Sequence, residues 1–232
     1  MTWIYLSHVL GETTPLYGGM GEIRINPSRS MSRGDSSNNS ELRFPAHAGT
    51  HVDAPRHFDP QGMTLDQYPP DYWLLKRPVL LDVPCDPAQM LDMARIGAML
   101  DAVPQDCDML LLRTGAEAWR SASPDVYSTQ GPGVAEDVAL WLRTHRRIRM
   151  LGMDFISVSS FAHRELGRAA HRAFLGAGIG QAILLVEDMA LAGLPGKMDA
   201  LEEMWVVPML HDDSDGAPVT VLARTRATGL GL

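Results

Sequence analysis

Three of the chain's eight histidines fall between positions 47 and 57, in the run Ala46-His47-Ala48-Gly49-Thr50-His51-Val52-Asp53-Ala54-Pro55-Arg56-His57-Phe58. Imidazole and carboxylate together make a donor set suited to Zn²⁺ or Mn²⁺. A helix would put His47 and His51 one turn apart on one face, but Gly49 between them and Pro55 soon after disfavour a helix. As a strand, His47, Gly49, His51 and Asp53 share one side. Fully extended, the two histidines would stand about 13 Å apart at ~3.3 Å per residue, too far for one ion with bonds of about 2.1 Å. Either the segment bends at Gly49 or two ions sit along it. Asp53 can bridge two ions with its two oxygens. His57, beyond Pro55, can serve as a ligand or as a proton carrier. A lone histidine is usually satisfied by backbone, but a cluster this dense is not expected on that account. Glu187 is a second candidate. It closes the apolar run at 182–186 (AILLV), and a carboxylate ending a buried strand needs a partner. Asp188, the next residue, points to the opposite side if the strand continues and is expected to tolerate Asn.

These groups need a scaffold, and the hydrophobic pattern supplies one. Short apolar runs of buried-strand length occur at 3–6, 78–83, 109–113, 148–153, 182–186 and 219–223. Helical patterns lie between them at 88–102, 134–145 and 162–175, the last ended by glycines at 176, 178 and 180. Residues 18–40, rich in Gly, Ser, Asn and Arg, read as a short strand plus a mobile loop able to act as a lid. Strands alternating with helices predict an α/β fold with a mixed sheet. With no repeat and no linker, residues 1–232 read as one domain.

Composition narrows the function classes. Twenty basic residues stand against 28 acidic ones, a net charge of −8, and no Lys/Arg-rich run appears, which argues against nucleic acid and against an anionic membrane surface. The two cysteines, Cys85 and Cys107, show no metal-finger spacing and predict reduced thiols in a cytoplasm rather than a disulfide scaffold. The opening MTWIYLSHVLGETTP lacks a basic n-region and does not read as a signal peptide, and no run approaches the roughly 20 apolar residues of a membrane span. Gly18-Gly19-Met20-Gly21 lacks the ending of a phosphate loop, and no Gly-x-Ser-x-Gly elbow suggests serine chemistry. Trp3, Tyr17 and Trp73 could wall an aromatic substrate.

The run His-x-Gly-Thr-His-x-Asp-Ala-Pro-x-His-Phe resembles the signature of the cyclase-like metal-dependent hydrolases, a family that includes bacterial kynurenine formamidase and isatin hydrolase. Shorter segments are similar to the family's pattern in the same order. They are Leu6-Ser7-His8 with Thr14-Pro15-Leu16-Tyr17-Gly18-Gly19, Gly62-Met63-Thr64-Leu65-Asp66, Leu111-Leu112-Arg113-Thr114-Gly115, Gly152-Met153-Asp154 with Ser157, and Asp215-Gly216-Ala217-Pro218-Val219.

The resemblance implies a swivelling β/β/α fold with a mixed, partly barrel-like sheet, and a homodimer or homotetramer. It implies one or two Zn²⁺ or Mn²⁺ ions held by His47, His51, Asp53, His171 and Glu187, with His163 as the alternative to His171. It implies His57 as the acid–base residue, and Tyr17, after the Thr-Pro turn, as a substrate contact. The activity implied is hydrolysis of a small carbonyl compound, foremost a C–N amide of N-formyl or cyclic type. The alternatives are a lactone hydrolase, a cyclase or dehydratase on the same metal site, and a non-catalytic metal-binding protein, which would have no need of His57.

Overall fold

The apolar runs become the centre of a nine-stranded mixed sheet in the computed structural model, which describes residues 2–226. The strands are β1 (Trp3–Tyr5), β2 (Arg24–Arg29), β3 (Asn39–Arg43), β4 (His51–Asp53), β5 (Leu74–Leu75), β6 (Pro78–Asp82), β7 (Met90–Leu91), β8 (Met109–Arg113), β9 (Gly133–Val134), β10 (Met150–Met153), β11 (Leu184–Glu187), β12 (Leu201–Pro208) and β13 (Gly216–Thr225). The helices are α1 (Met93–Asp101), α2 (Glu117–Ala122), α3 (Pro124–Thr129), α4 (Glu136–His145) and α5 (Arg164–Leu175). The large sheet runs β5-β12-β13-β4-β11-β10-β8-β6, with β1 paired to β13. From β6 to β11 the strands are parallel; β4, β13, β12 and β5 continue it antiparallel. The Leu80 N–H of β6 donates to the Met198 carbonyl just before β12 at 3.0 Å, so the two ends of the sheet approach each other and it is nearly closed. This is the expected mixed α/β fold with a barrel-like sheet.

The parallel strands are continuous apolar runs because both faces are buried. Alternate residues divide between two cores. Val79, Leu81, Leu110, Leu112 and Leu185 pack with α1, α4 and α5, whereas Leu80, Met109, Leu111, Leu184 and Val186 fill the inside of the curved sheet. Glu187 is two residues beyond Leu185 and therefore faces α5.

Some sequence expectations shift. The helix expected over 88–102 is confined to α1, because Met90 and Leu91 pair with Gly133 and Val134 as two short parallel strands. Val134 thus belongs to β9 rather than to α4. The short strand expected within 18–40 is β2, and it pairs with β3, which begins at Asn39, so the stretch read as a mobile loop is part of a two-stranded arm. All of its strand residues are exposed, so no apolar alternation marked it. Trp73 is buried in the inner core and Trp3 lies on the outside of β1, so neither walls a cleft. Cys85 and Cys107 are both free, and burial pushes their thiols up to about 11 and about 12. Among the described residues no helix is long and apolar enough to cross a membrane.

Candidate metal centre and cleft

The segment 47–53 bends at Gly49, whose φ of 63° lies in the left-handed region that glycine adopts without strain. The bend brings the rings of His47 and His51 to 5.4 Å instead of the extended spacing. After the bend, β4 pairs antiparallel with β11 so that His51 stands opposite Glu187, Val52 opposite Val186 and Asp53 opposite Leu185. Cross-strand partners share a face, so this register alone sets His51, Asp53 and Glu187 on the side covered by α5. His171 comes down from α5 to meet them, buried like the three strand residues. His163 is exposed in the 3₁₀ turn before α5 and takes no part.

Hydrogen bonds to the backbone aim the rings. His51 donates Nδ1–H to the Gly49 carbonyl at 2.8 Å, and His171 donates Nδ1–H to the Gly167 carbonyl at 3.0 Å, which leaves each Nε2 facing the carboxylates. Each carboxylate divides its oxygens between the two sides. His51 Nε2 lies 3.4 Å from Asp53 Oδ1 and 3.4 Å from Glu187 Oε2. His171 Nε2 lies 3.6 Å from Asp53 Oδ2 and 3.7 Å from Glu187 Oε1. These separations are longer than hydrogen bonds. Among the described residues, three groups have donor atoms close enough together to hold one ion: His47, His51 and Asp53; Asp53, His57 and His171; and His47, His57 and Asp215. The donors therefore fit a divalent cation, with His57 within reach of it and the Glu187 oxygens 3.4 and 3.7 Å from the two ring nitrogens. Val158 N–H (2.7 Å) and the Ser157 hydroxyl (3.2 Å) steady Glu187 Oε1.

His47 is held differently. Its Nδ1 meets Asp53 Oδ1 at 2.8 Å and its Nε2 meets Asp215 Oδ2 at 3.1 Å. The same Asp215 oxygen accepts from His57 Nδ1 at 3.1 Å. The His47 and His57 rings lie 4.0 Å apart, and Phe58 stacks on His171 at 4.5 Å. Gly216, next to Asp215, makes this possible: a Cβ there would sit 2.3 Å from His47 Cε1.

The charges interlock. Burial works against a proton on His47, but Asp53 and the bonds to both aspartates outweigh it and raise its pKa to about 9. Burial likewise opposes charge on His51 and His171, yet the facing Asp53 carboxylate, joined by that of Glu187, raises both. Burial works against the Asp53 charge, but the His47 cation and the nearby His171 and His51 rings outweigh it and hold the carboxyl well below the usual range. His57 goes the other way: burial lowers its pKa, offset only in part by Asp53 and Asp215. A neutral imidazole at the edge of the cluster is free to accept a proton.

All seven residues singled out from the sequence (Tyr17, His47, His51, Asp53, His57, His171 and Glu187) line one cleft of about 320 Å³. Four others there or behind it were not anticipated as site residues. Asp215 comes from the far end of the chain, and the sequence marked it only as the start of the segment Asp215-Gly216-Ala217-Pro218-Val219. Arg164 and Arg168 line the mouth. Asp188 also lines the cleft, but its carboxylate is engaged by Arg120 and Tyr127.

Comparison with known proteins places the chain in a family and its fold beside solved structures. A family model described as "Putative cyclase" matches residues 4–160. Cyclase-like protein 2 of Oryza sativa subsp. japonica is 31% identical over 226 residues, covering 92% of this chain and 76% of that protein. Kynurenine formamidase of Bacillus thuringiensis (strain Al Hakam) is 28% identical over 233 residues, covering 96% and 97%. Among solved structures, isatin hydrolase A from Labrenzia aggregata superposes with a TM-score of 0.77 at 23% identity, covering 96% and 93%. A potential metal-dependent hydrolase with cyclase activity superposes at 0.73 and 22%, covering 97% and 98%.

Proposed function

The chain belongs to the cyclase family, and from that premise we propose that it is a metal-dependent hydrolase of a small carbonyl compound, foremost a C–N amide of N-formyl or cyclic type. The observation that carries the reading is the pair of buried carboxylates that split their oxygens between His51 and His171 at 3.4–3.7 Å. Buried charge of this kind is retained where a cation compensates it. The relatives named kynurenine formamidase and the structural neighbours named isatin hydrolase support the reaction class.

In this reading His47, His51, Asp53, His171 and Glu187 would hold one or two Zn²⁺ or Mn²⁺ ions. Bound ions would lower the pKa of water toward 7 and polarise the substrate carbonyl. The chain does the rest. His57, neutral and half-exposed beside the cluster, takes the proton of the attacking water and delivers it to the leaving nitrogen. Asp215 holds the His57 ring through Nδ1, so Nε2 is the atom that exchanges the proton. Tyr17, edge-on to Phe161 at 5.3 Å, closes one wall against the substrate's apolar body.

The deciding experiment measures bound metal, then turnover of formanilides, isatin-like lactams and lactones with added Zn²⁺ or Mn²⁺. Metal-dependent opening of the amides supports the reading; a metal-loaded protein that opens only lactones, or nothing, overturns it.

Three further points belong to the same proposal. The described residues 2–226 form one unit, since β1 and β13 from opposite ends pair in one sheet. Two unpaired thiols suit a cytoplasmic setting. The arm formed by β2 and β3, with Ile25, Met31 and Leu42 exposed, is the surface through which copies associate as a homodimer or homotetramer, which light scattering tests.

A further inference from the structure

We propose that the cleft selects substrates bearing a carboxylate on the side away from the reacting carbonyl, and that Arg164 and Arg168 read it. This rests on the hydrolase reading and adds the substrate class to it. On α5, Arg164, Arg168 and His171 follow at spacings of four and three residues, so they share one face. At 1.5 Å per residue, Arg168 stands about 4.5 Å and Arg164 about 10.5 Å up the helix from His171. His171 is buried, Arg168 half-buried and Arg164 exposed, and all three line the same cleft. The stripe therefore runs from the metal cluster to the mouth.

Neither arginine is accounted for by stability. Arg164 opens α5, where the helix dipole disfavours a cation. Its guanidinium lies over the Phe161 ring at 5.1 Å, and among the described residues it forms no ion pair. Arg168 pairs with Glu165, whose side chain is 84% exposed, and such a surface pair is weak enough to yield to a ligand. Asp188, which also lines the cleft, is already bound by Arg120. Pro15, Tyr17, Phe58 and Ile156 line the same cleft and are suited to a ring. With Asp53 and Glu187 at the floor and two guanidiniums at the rim, a ligand with one carbonyl and one carboxylate has a single favourable orientation: carbonyl down, carboxylate up. Guanidinium binds carboxylate in a bidentate manner, which fixes that orientation.

The test uses metal-loaded protein and a matched pair, 4-formamidophenylacetate and 4-formamidophenylacetamide. In the parent, kcat/KM for the acid exceeds that for the amide by about 10-fold or more, chiefly through KM, as expected for charge-assisted binding away from the reacting atoms. In Arg164→Ala/Arg168→Ala that ratio falls to within about 2-fold of unity, and Lys at both positions restores part of it. Arg172→Ala, exposed on α5 outside the cleft, keeps the parent ratio. A parent with no preference, or a double Ala variant that retains it, overturns the proposal. If neither compound turns over, the hydrolase reading rests on the lactams of the wider panel, and calorimetry with phenylacetate against phenylacetamide decides the anion site alone. Tighter phenylacetate binding lost in the double variant upholds it; equal binding, or binding the variant keeps, overturns it.

Discussion

Replacing Asp188 by Asn should cost far more than strand alternation suggests. Alternation along β11 turns Asp188 away from the face of Glu187 and predicts a harmless exchange. The structure puts it elsewhere. Its φ of 52° takes the chain out of the strand, and its backbone is fixed by Asp188 N–H to the Phe155 carbonyl (3.0 Å) and by the Thr50 hydroxyl to the Asp188 carbonyl (2.5 Å). Its carboxylate then accepts from Arg120 Nε (2.8 Å), Arg120 Nη2 (3.0 Å) and the Tyr127 hydroxyl (2.5 Å). The Asp188 side chain is 1% exposed and that of Arg120 16%. Asn keeps the volume, so no cavity forms. It removes the charge and turns an NH₂ toward a guanidinium donor, leaving Arg120 uncompensated. Breaking one side of a buried ion pair costs about 3–5 kcal/mol, and water reaching part of Arg120 points to the lower end, about 3 kcal/mol. For a chain of this length each kcal/mol moves Tm by about 2–4 °C, so a fall of about 6–12 °C is expected in thermal unfolding of metal-loaded protein. Arg120→Met in the same background should recover part of it, because the orphaned charge is gone. A loss below about 1 kcal/mol would refute the assignment of Asp188 as the anchor of this network.

Three other substitutions probe the cleft. Glu187→Gln keeps the shape but removes the shared charge; metal affinity measured by calorimetry should fall by more than the 10–100-fold typical of changes behind a ligand, with the fold retained. His57→Ala should keep its metal and lose about 10²–10⁴ in kcat, the usual share of an acid–base residue; joint loss of metal and rate would make His57 a ligand. Asp215→Asn should weaken both metal binding and kcat by about 10–100-fold, since one carboxylate oxygen serves His47 and His57 together, and steady values of both would remove it from the site.

The parallel half of the fold was legible because its strands are buried on both faces and read as unbroken apolar runs: Met109–Arg113 lies where the pattern places it, and Leu184–Glu187 overlaps the run at 182–186. The arm formed by β2 and β3 was not, because exposure of every strand residue erases the two-residue period that betrays a strand. β12 shows a partial alternation, but its exposed Trp205 and Val207 break the apolar-in, polar-out code that would have marked it. Helices α2 and α3 are six residues each, too short for a 3.6-residue stripe to stand out.

The site divides along the same line. His47, His51, Asp53 and His57 lie within one turn-and-strand unit, so their density in the sequence is already their density in space. Glu187 could be singled out because a carboxylate at the end of an apolar strand is anomalous in itself. What no local pattern carries is pairing. Opposition of His51 to Glu187 is a matter of register between strands more than 130 positions apart, and one residue of slip would turn Glu187 away from α5. Asp215 reaches His47 and His57 only because β13 pairs with β4 so that Gly216 faces Asp53. No local pattern singles out Arg164 and Arg168, and they acquire meaning only once His171 fixes which face of α5 looks into the cleft. That dependence ranks the assignments. If His171 does not bind metal, the helix face is no longer tied to the reacting centre and the case for the two arginines falls with it, whereas the claims for His47, His51 and Asp53 stand on their own segment.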